Sequence, residues 1–208
     1  MKMTIASKNK GKLEEIKYIF RNLPYEIVTM QDAGIEDDIL ETGTTFEENA
    51  LIKARHVQAL TGGVALADDS GLEVDFLGGA PGVYSARFAG EGASDAQKNA
   101  KLLSVLDGVP MEKRKARFVC VIAVVFPDGR ELLSRGTFAG VIAEAPAGEH
   151  GFGYDPLLYV PEQGRTVAQM SEAEKNLVSH RGKALSAMLG LLKEGLSLIH
   201  ISEPTRPY

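Results

Sequence analysis

The run Ala67-Asp68-Asp69-Ser70-Gly71 sets two adjacent carboxylates, a hydroxyl and a glycine straight after an apolar stretch, Gly63-Val64-Ala65-Leu66. The apolar stretch reads as a short buried strand, and α/β sheets bind ligands beyond the carboxyl ends of their strands. Two neighbouring carboxylates are costly to bury without a cation or a proton. On a strand end their side chains diverge to opposite faces, so one can face a pocket while the other braces the turn. The chemistry that suits this is a site where Asp69 or Asp68 helps hold Mg²⁺ and orients a water. The plainer alternative is an Asp-rich turn closed by Gly71. Glu41, upstream in an acidic, turn-rich stretch, is a candidate second carboxylate for such a metal.

Two further groups are cationic or aromatic. Ser7-Lys8-Asn9-Lys10-Gly11-Lys12 follows a first strand, Met3–Ala6, and leads into a helix from about Gly11 to Leu23. Strand, basic turn and helix start together offer backbone N–H groups and a positive dipole end to a phosphate. The glycine spacing is not that of a Walker A loop. Near the other end, Gly151-Phe152-Gly153-Tyr154-Asp155-Pro156 sets glycines around two aromatics that can lie against a flat base. Lys175 and then His180-Arg181-Gly182-Lys183, opening the last helix, make a second basic cluster. His56 and His150 have no ligand-like spacing. Cys120, the single cysteine, lies in an apolar run and reads as core.

The elements that must position these groups alternate strand and helix. Thr45-x-x-Glu48 is a capping box for a helix reaching about Leu60, with Phe46, Ala50, Ala54 and Val57 on its buried face. Its polar residues, Lys53 among them, read mostly as solvated. Ser94-x-x-Gln97 and Ser171-x-x-Glu174 cap two more helices. Phe118–Phe126 is nearly all apolar and reads as a central strand covered on both faces. Asp128-Gly129 turns it into Leu132–Ile142. A hairpin beside strand–helix units implies a mixed sheet.

The 208 residues suffice for one α/β domain or two small lobes. A net charge of −5 and a pI near 5.5 speak against a nucleic-acid backbone binder, but not against one anionic ligand on a local basic cluster. No run has the length of a membrane span and no signal-peptide pattern opens the chain, so a cytoplasmic enzyme is expected. Residues 196–208 resemble the conceptual translation of a transposon adapter used in sequencing libraries. The domain is therefore taken as 1–195, and the tail is set aside as non-native and poorly ordered.

Six motifs in order, Ser7-x-Asn9-x-x-Lys12, Thr45-Phe46-x-Glu48-Asn49-Ala50-x-x-Lys53-Ala54, Ala67–Leu72, Gly78–Arg87, Phe152–Pro156 and Ser179–Gly182, closely resemble the inosine triphosphate pyrophosphatase family over about residues 3–193. Only Ser7 departs from the commoner Thr, and it keeps the hydroxyl. The resemblance implies an elongated α/β fold, a long mixed twisted sheet flanked by helices, with a cleft between two lobes and a homodimeric assembly. It implies Mg²⁺-dependent hydrolysis of ITP, dITP or XTP to the monophosphate and pyrophosphate. By motif, Ser7, Lys8, Asn9, Lys10, Gly11 and Lys12 would hold the phosphates. Asp69 would accept the proton with Asp68 in support, Glu41 and Asp69 would hold the metal, and Ser70 would contact substrate. Phe152, Gly153, Tyr154, Asp155, Lys175, His180 and Arg181 would bind the nucleotide, mostly at the base. The rival readings are a related pyrophosphatase with another base preference and a non-catalytic nucleotide-binding protein.

Overall fold

The computed structural model describes residues 1–201. Among them seven strands form one mixed sheet in the order β2-β1-β3-β4-β5-β6-β7. These are β1 (Lys2–Ile5), β2 (Glu26–Thr29), β3 (Val64–Val74), β4 (Lys115–Val125), β5 (Glu131–Ile142), β6 (Leu158–Val160) and β7 (Arg165–Thr166). β1 pairs in parallel with β2 and β3, and every later pairing is antiparallel. The parallel part is wound by α1 (Lys10–Phe20) and α2 (Phe46–Thr61), and α3 (Asp95–Val105), α4 (Glu172–Val178) and α5 (His180–Ile201) follow. Helix α5 continues to Ile201, past the start of the segment set aside as non-native. The rest of that tail lies outside the described residues.

Local sequence explains the helix starts. Asn9 caps α1 by accepting from the Lys12 N–H, and Thr45, Ser94 and Ser171 each form the full capping box expected of them. β4 is buried along almost its whole length because α5 covers one face and α2 the other. Val64 and Leu66 pack with α1 and α5, whereas Ala65 and Ala67 pack with α2. A third core cluster joins α3, the outer halves of β3, β4 and β5, and the loop around Tyr154. The two lobes are these: one around β1–β4 with α1, α2 and α5, the other around α3 and β6.

One expectation needs correction. The Asp-Asp-Ser run is not a turn at a strand end. β3 continues through it, with Asp68 opposite Ile122, Asp69 opposite Val121 and Ser70 opposite Cys120. What ends there is the other neighbour. β1 stops at Ile5 opposite Leu66, and the last bond on that side runs from the Ala6 N–H to the Leu66 carbonyl at 2.7 Å. The carboxylates therefore stand where the parallel part of the sheet gives out, on a strand made rigid by β4.

Candidate active site

Alternation along β3 sends the two carboxylates apart. Asp68 turns to the α1/α5 face and Asp69 to the α2 face. Asp68 pairs with Lys12, accepts from Arg181 Nε at 3.1 Å and accepts from the Cys120 thiol at 3.0 Å. Burial alone would raise its carboxyl, but the Lys12 and Arg181 cations outweigh this and hold it far below the usual range. Asp68 is thus an ionised anchor. The Cys120 thiol is pushed well up by burial and by Asp68, which leaves it a core donor as its apolar setting implied.

Asp69 differs. Its Oδ1 accepts from Lys53 Nζ at 3.1 Å, and its buried Oδ2 has no hydrogen-bond partner in the structure. Burial raises the Asp69 carboxyl, Lys53 lowers it, and Glu41 raises it again. Lys53 Nζ also donates to Glu41 at 2.6 Å, so one ammonium serves both carboxylates. Lys53 is buried at 9% exposure, which corrects its reading as a solvated helix residue. It shares the α2 stripe of Asn49, Ala50, Ala54 and Val57, all buried. A lysine on an apolar stripe at i, i+3, i+4 spacing was the signal in the sequence.

Glu41 and Asp69 are the carboxylates that could hold a divalent cation here. Glu41 and Asp69 share a single cation, and Asp69 Oδ2 is left over. Among the described residues no cluster of three or more His, Cys, Asp or Glu could hold a metal on protein ligands alone. Mg²⁺ commonly takes only one or two carboxylates and fills its shell with water and phosphate oxygens.

The phosphate turn lies against the same spot. Ser7, Lys8, Asn9, Lys12, Glu41, Lys53 and Asp68 line a hollow of about 240 Å³. Ser7 Oγ accepts from the Asn9 N–H at 3.2 Å, which shapes the turn. Lys8 reaches across to Asp38 and the Glu36 carbonyl, at 2.6 and 3.0 Å. Lys10 is exposed at the start of α1. Gly11 faces Phe152: a Cβ there would lie 3.7 Å from the ring.

Arg181 carries the site onward. It is 2% exposed, with Nη1 donating to Glu15 at 2.7 Å and Nη2 to Ser70 at 3.2 Å. Its guanidinium also lies 5.6 Å from the centre of the Phe152 ring, and Lys175 Nζ lies 4.6 Å from it. Asp155 Oδ2 accepts from Lys175 at 2.7 Å and from the Phe152 N–H at 3.0 Å. A cleft of about 840 Å³, lined by Gly11, Glu15, Tyr18, Phe152 and Lys175, opens beside these groups. His180 is buried and stacked on Phe118 at 4.9 Å, with Nδ1 unpartnered. Burial and the neighbouring Arg181 hold its ring well below the usual range, so it is neutral at pH 7.

One expectation changes here. Of the two aromatics in the 151–156 loop, only Phe152, 38% exposed, faces the cleft. Tyr154 belongs to the core and donates to the Ser85 carbonyl at 2.8 Å. His180 and Arg181, the basic pair that opens α5, are both buried. α5 can lie close enough to bury them because β5 carries Gly136. A Cβ at that position would come within 2.1 Å of the His180 carbonyl and 2.6 Å of the Ala184 nitrogen. Ser134 Oγ donating to the Ala184 carbonyl at 2.8 Å fixes the same contact. Gly136 is a residue the sequence reading missed.

The predicted phosphate turn, carboxylates and aromatic loop thus form one continuous path, from Glu41 and Lys53 through Asp68 and Arg181 to Phe152. Comparison with known proteins finds the same arrangement of sequence and fold elsewhere. The Ham1 family model matches residues 3–191. A protein named dITP/XTP pyrophosphatase from Desulforamulus reducens is 50% identical over 192 residues, covering 92% of this chain and 96% of that one. The solved structure of a HAM1 protein from Coxiella burnetii superposes with a TM-score of 0.88 at 43% identity, covering 93% and 99% of the two chains. The Staphylococcus aureus Ham1 protein superposes with a TM-score of 0.87 at 42% identity, covering 94% and 100%. With the match running over nearly the whole fold and through every motif of the site, the chain belongs to the Ham1 family.

Proposed function

We propose that this protein hydrolyses non-standard purine nucleoside triphosphates, ITP, dITP and XTP, to the monophosphate and pyrophosphate. The observation that carries the reading is the unpartnered, buried Asp69 Oδ2, on a carboxylate whose other oxygen is fixed by Lys53, a residue that with Glu41 lines the same hollow as the phosphate turn. The names of the relatives support the substrate class.

In this reading Lys8, Lys12 and the N-terminus of α1 bind the phosphate chain and stabilise the leaving pyrophosphate. Asp69 Oδ2 takes the proton of the attacking water, and burial lifts the carboxyl toward the pH at which a general base works best. Lys53 keeps Asp69 and Glu41 from repelling each other. Glu41 and Asp69 would hold Mg²⁺, which when bound supplies neutralising charge to phosphate oxygens. Asp68 takes no proton. It ties Lys12 of the phosphate turn to Arg181 of the base side, which holds the two halves of a substrate in register. A purine lies against Phe152, and the neutral His180 and Arg181 offer donors to its 6-keto oxygen. Adenine carries a donor amine at that position, and the resulting mispairing rejects ATP. The family resemblance implies a homodimeric assembly, for which the exposed rings of Phe76 (50%) and Tyr84 (55%) offer apolar surface; among the described residues no helix is long and apolar enough to cross a membrane.

The test is product analysis. With ITP and Mg²⁺ the expected products are IMP and pyrophosphate in equal amounts. IDP and inorganic phosphate would place the cleavage at the wrong bond and contradict the reading.

A further inference from the structure

The loop that carries Phe152 is gripped from outside the site. Helix α3 presents Asp95 and Asn99 one turn apart, and both reach Gly153. Asp95 Oδ2 accepts from the Gly153 N–H at 2.7 Å, and Asn99 Nδ2 donates to the Gly153 carbonyl at 2.9 Å. Lys98 holds the other Asp95 oxygen at 2.6 Å, leaving Oδ2 directed at the loop. Asn99 is buried, and its Oδ1 has no partner, so its amide is committed to Gly153 alone. Gly153 has φ +62°, a left-handed backbone conformation that favours glycine. Asp155 holds the Phe152 N–H, and the α3 clamp holds the next residue.

We propose that Asp95 and Asn99 are positioning residues that fix the Phe152 ring, and through it the affinity for the base of the substrate, without touching substrate themselves. This rests on the reading of Phe152 as the base platform. The clamp lies on α3, which belongs to the lobe opposite the carboxylates. It therefore governs recognition of the base and leaves the hydrolytic groups alone.

The experiment compares Asp95→Ala, Asn99→Leu, Asp95→Asn and Phe152→Ala with the unaltered protein, below the melting temperature of each. Asp95→Ala and Asn99→Leu are expected to raise KM for ITP by about tenfold, the worth of one or two hydrogen bonds, with kcat changed by no more than about threefold. Inhibition by IMP should weaken to the same degree, and inhibition by inorganic pyrophosphate, which lacks a base, should not change. Asp95→Asn keeps an acceptor for the Gly153 N–H and should restore KM to within about threefold. Unchanged KM in Asp95→Ala and Asn99→Leu, alongside a raised KM in Phe152→Ala, would overturn the clamp and leave the base platform standing. Equal loss of IMP and pyrophosphate binding would reduce the clamp to general support of the fold and overturn it too. An unchanged KM in Phe152→Ala would overturn the base platform itself.

Discussion

Two neighbouring carboxylates on one strand meet opposite electrostatics. Asp69 is raised by burial, so its folded pKa lies above its unfolded value of ~3.9. Such a group stabilises the fold fully below that value, and the contribution is lost as pH rises through the folded pKa. In metal-free buffer at pH 7 the ionised Asp69 therefore weakens the fold. Asp69→Asn is expected to raise the melting temperature there while lowering kcat by ~10²-fold or more. A lowered melting temperature in chelator would contradict this assignment. Asp68 is the reverse case. Its depressed carboxyl gives stability above ~3.9 that is lost as pH falls through the folded pKa. Asp68→Asn leaves the buried Arg181 short of a counter-charge and should cost about 3–5 kcal/mol in urea unfolding. Comparable losses in both variants would remove the distinction between base and anchor. The doublet and the Ser7–Lys12 turn were legible in the sequence because carboxylates and lysines next to apolar strands stand out. Lys53 left only a weak signal, its place on an apolar stripe, because a lysine on a helix is ordinarily solvated and only its two carboxylate partners, Glu41 and Asp69, make burial favourable.

At the scale of elements, the site depends on how closely α5 lies on β5. Gly136→Ala forces backbone apart at the His180 carbonyl and the Ala184 nitrogen, neither of which is a flexible side-chain end. Overpacking of this kind typically costs about 1–3 kcal/mol. Because the displaced turn carries His180 and Arg181, kcat/KM for ITP should fall by about tenfold or more. Steady-state kinetics on the folded variant checks this, and wild-type kinetics would show that the close approach serves stability alone. Helix starts were readable in advance because a capping box is local, and all three named from sequence are present. The length of β3 was not. Whether a strand stops at polar residues depends on its neighbours, and β4 pairs with β3 as far as Val74 while β1 stops at Ile5. Gly136 was equally hidden, since the segment that needs its missing side chain lies more than forty positions along the chain.

Over the whole molecule, one sheet spans both lobes, and the hollow at the phosphate turn lies where its parallel pairing ends. The mixed sheet was legible from the strand–helix units and the Asp128-Gly129 hairpin. The short strands β6 and β7 were not, because three and two residues carry no periodic pattern. Light scattering is expected to give twice the mass of the chain, with Phe76→Ser and Tyr84→Ser together shifting it toward the monomer. A monomer in the unaltered protein would contradict a paired assembly. Phosphate turn, carboxylates and base platform are proposed to form one selective hydrolytic site. Pyrophosphate release from ITP, XTP, ATP and GTP, each with Mg²⁺ and with excess chelator, tests it most directly. Fast release is expected from ITP and XTP, little from ATP, whose 6-amine mispairs with the His180 and Arg181 donors, and none with chelator. Release from ATP as fast as from ITP and XTP would contradict base selection by His180 and Arg181, and no release from any would contradict the hydrolytic site itself.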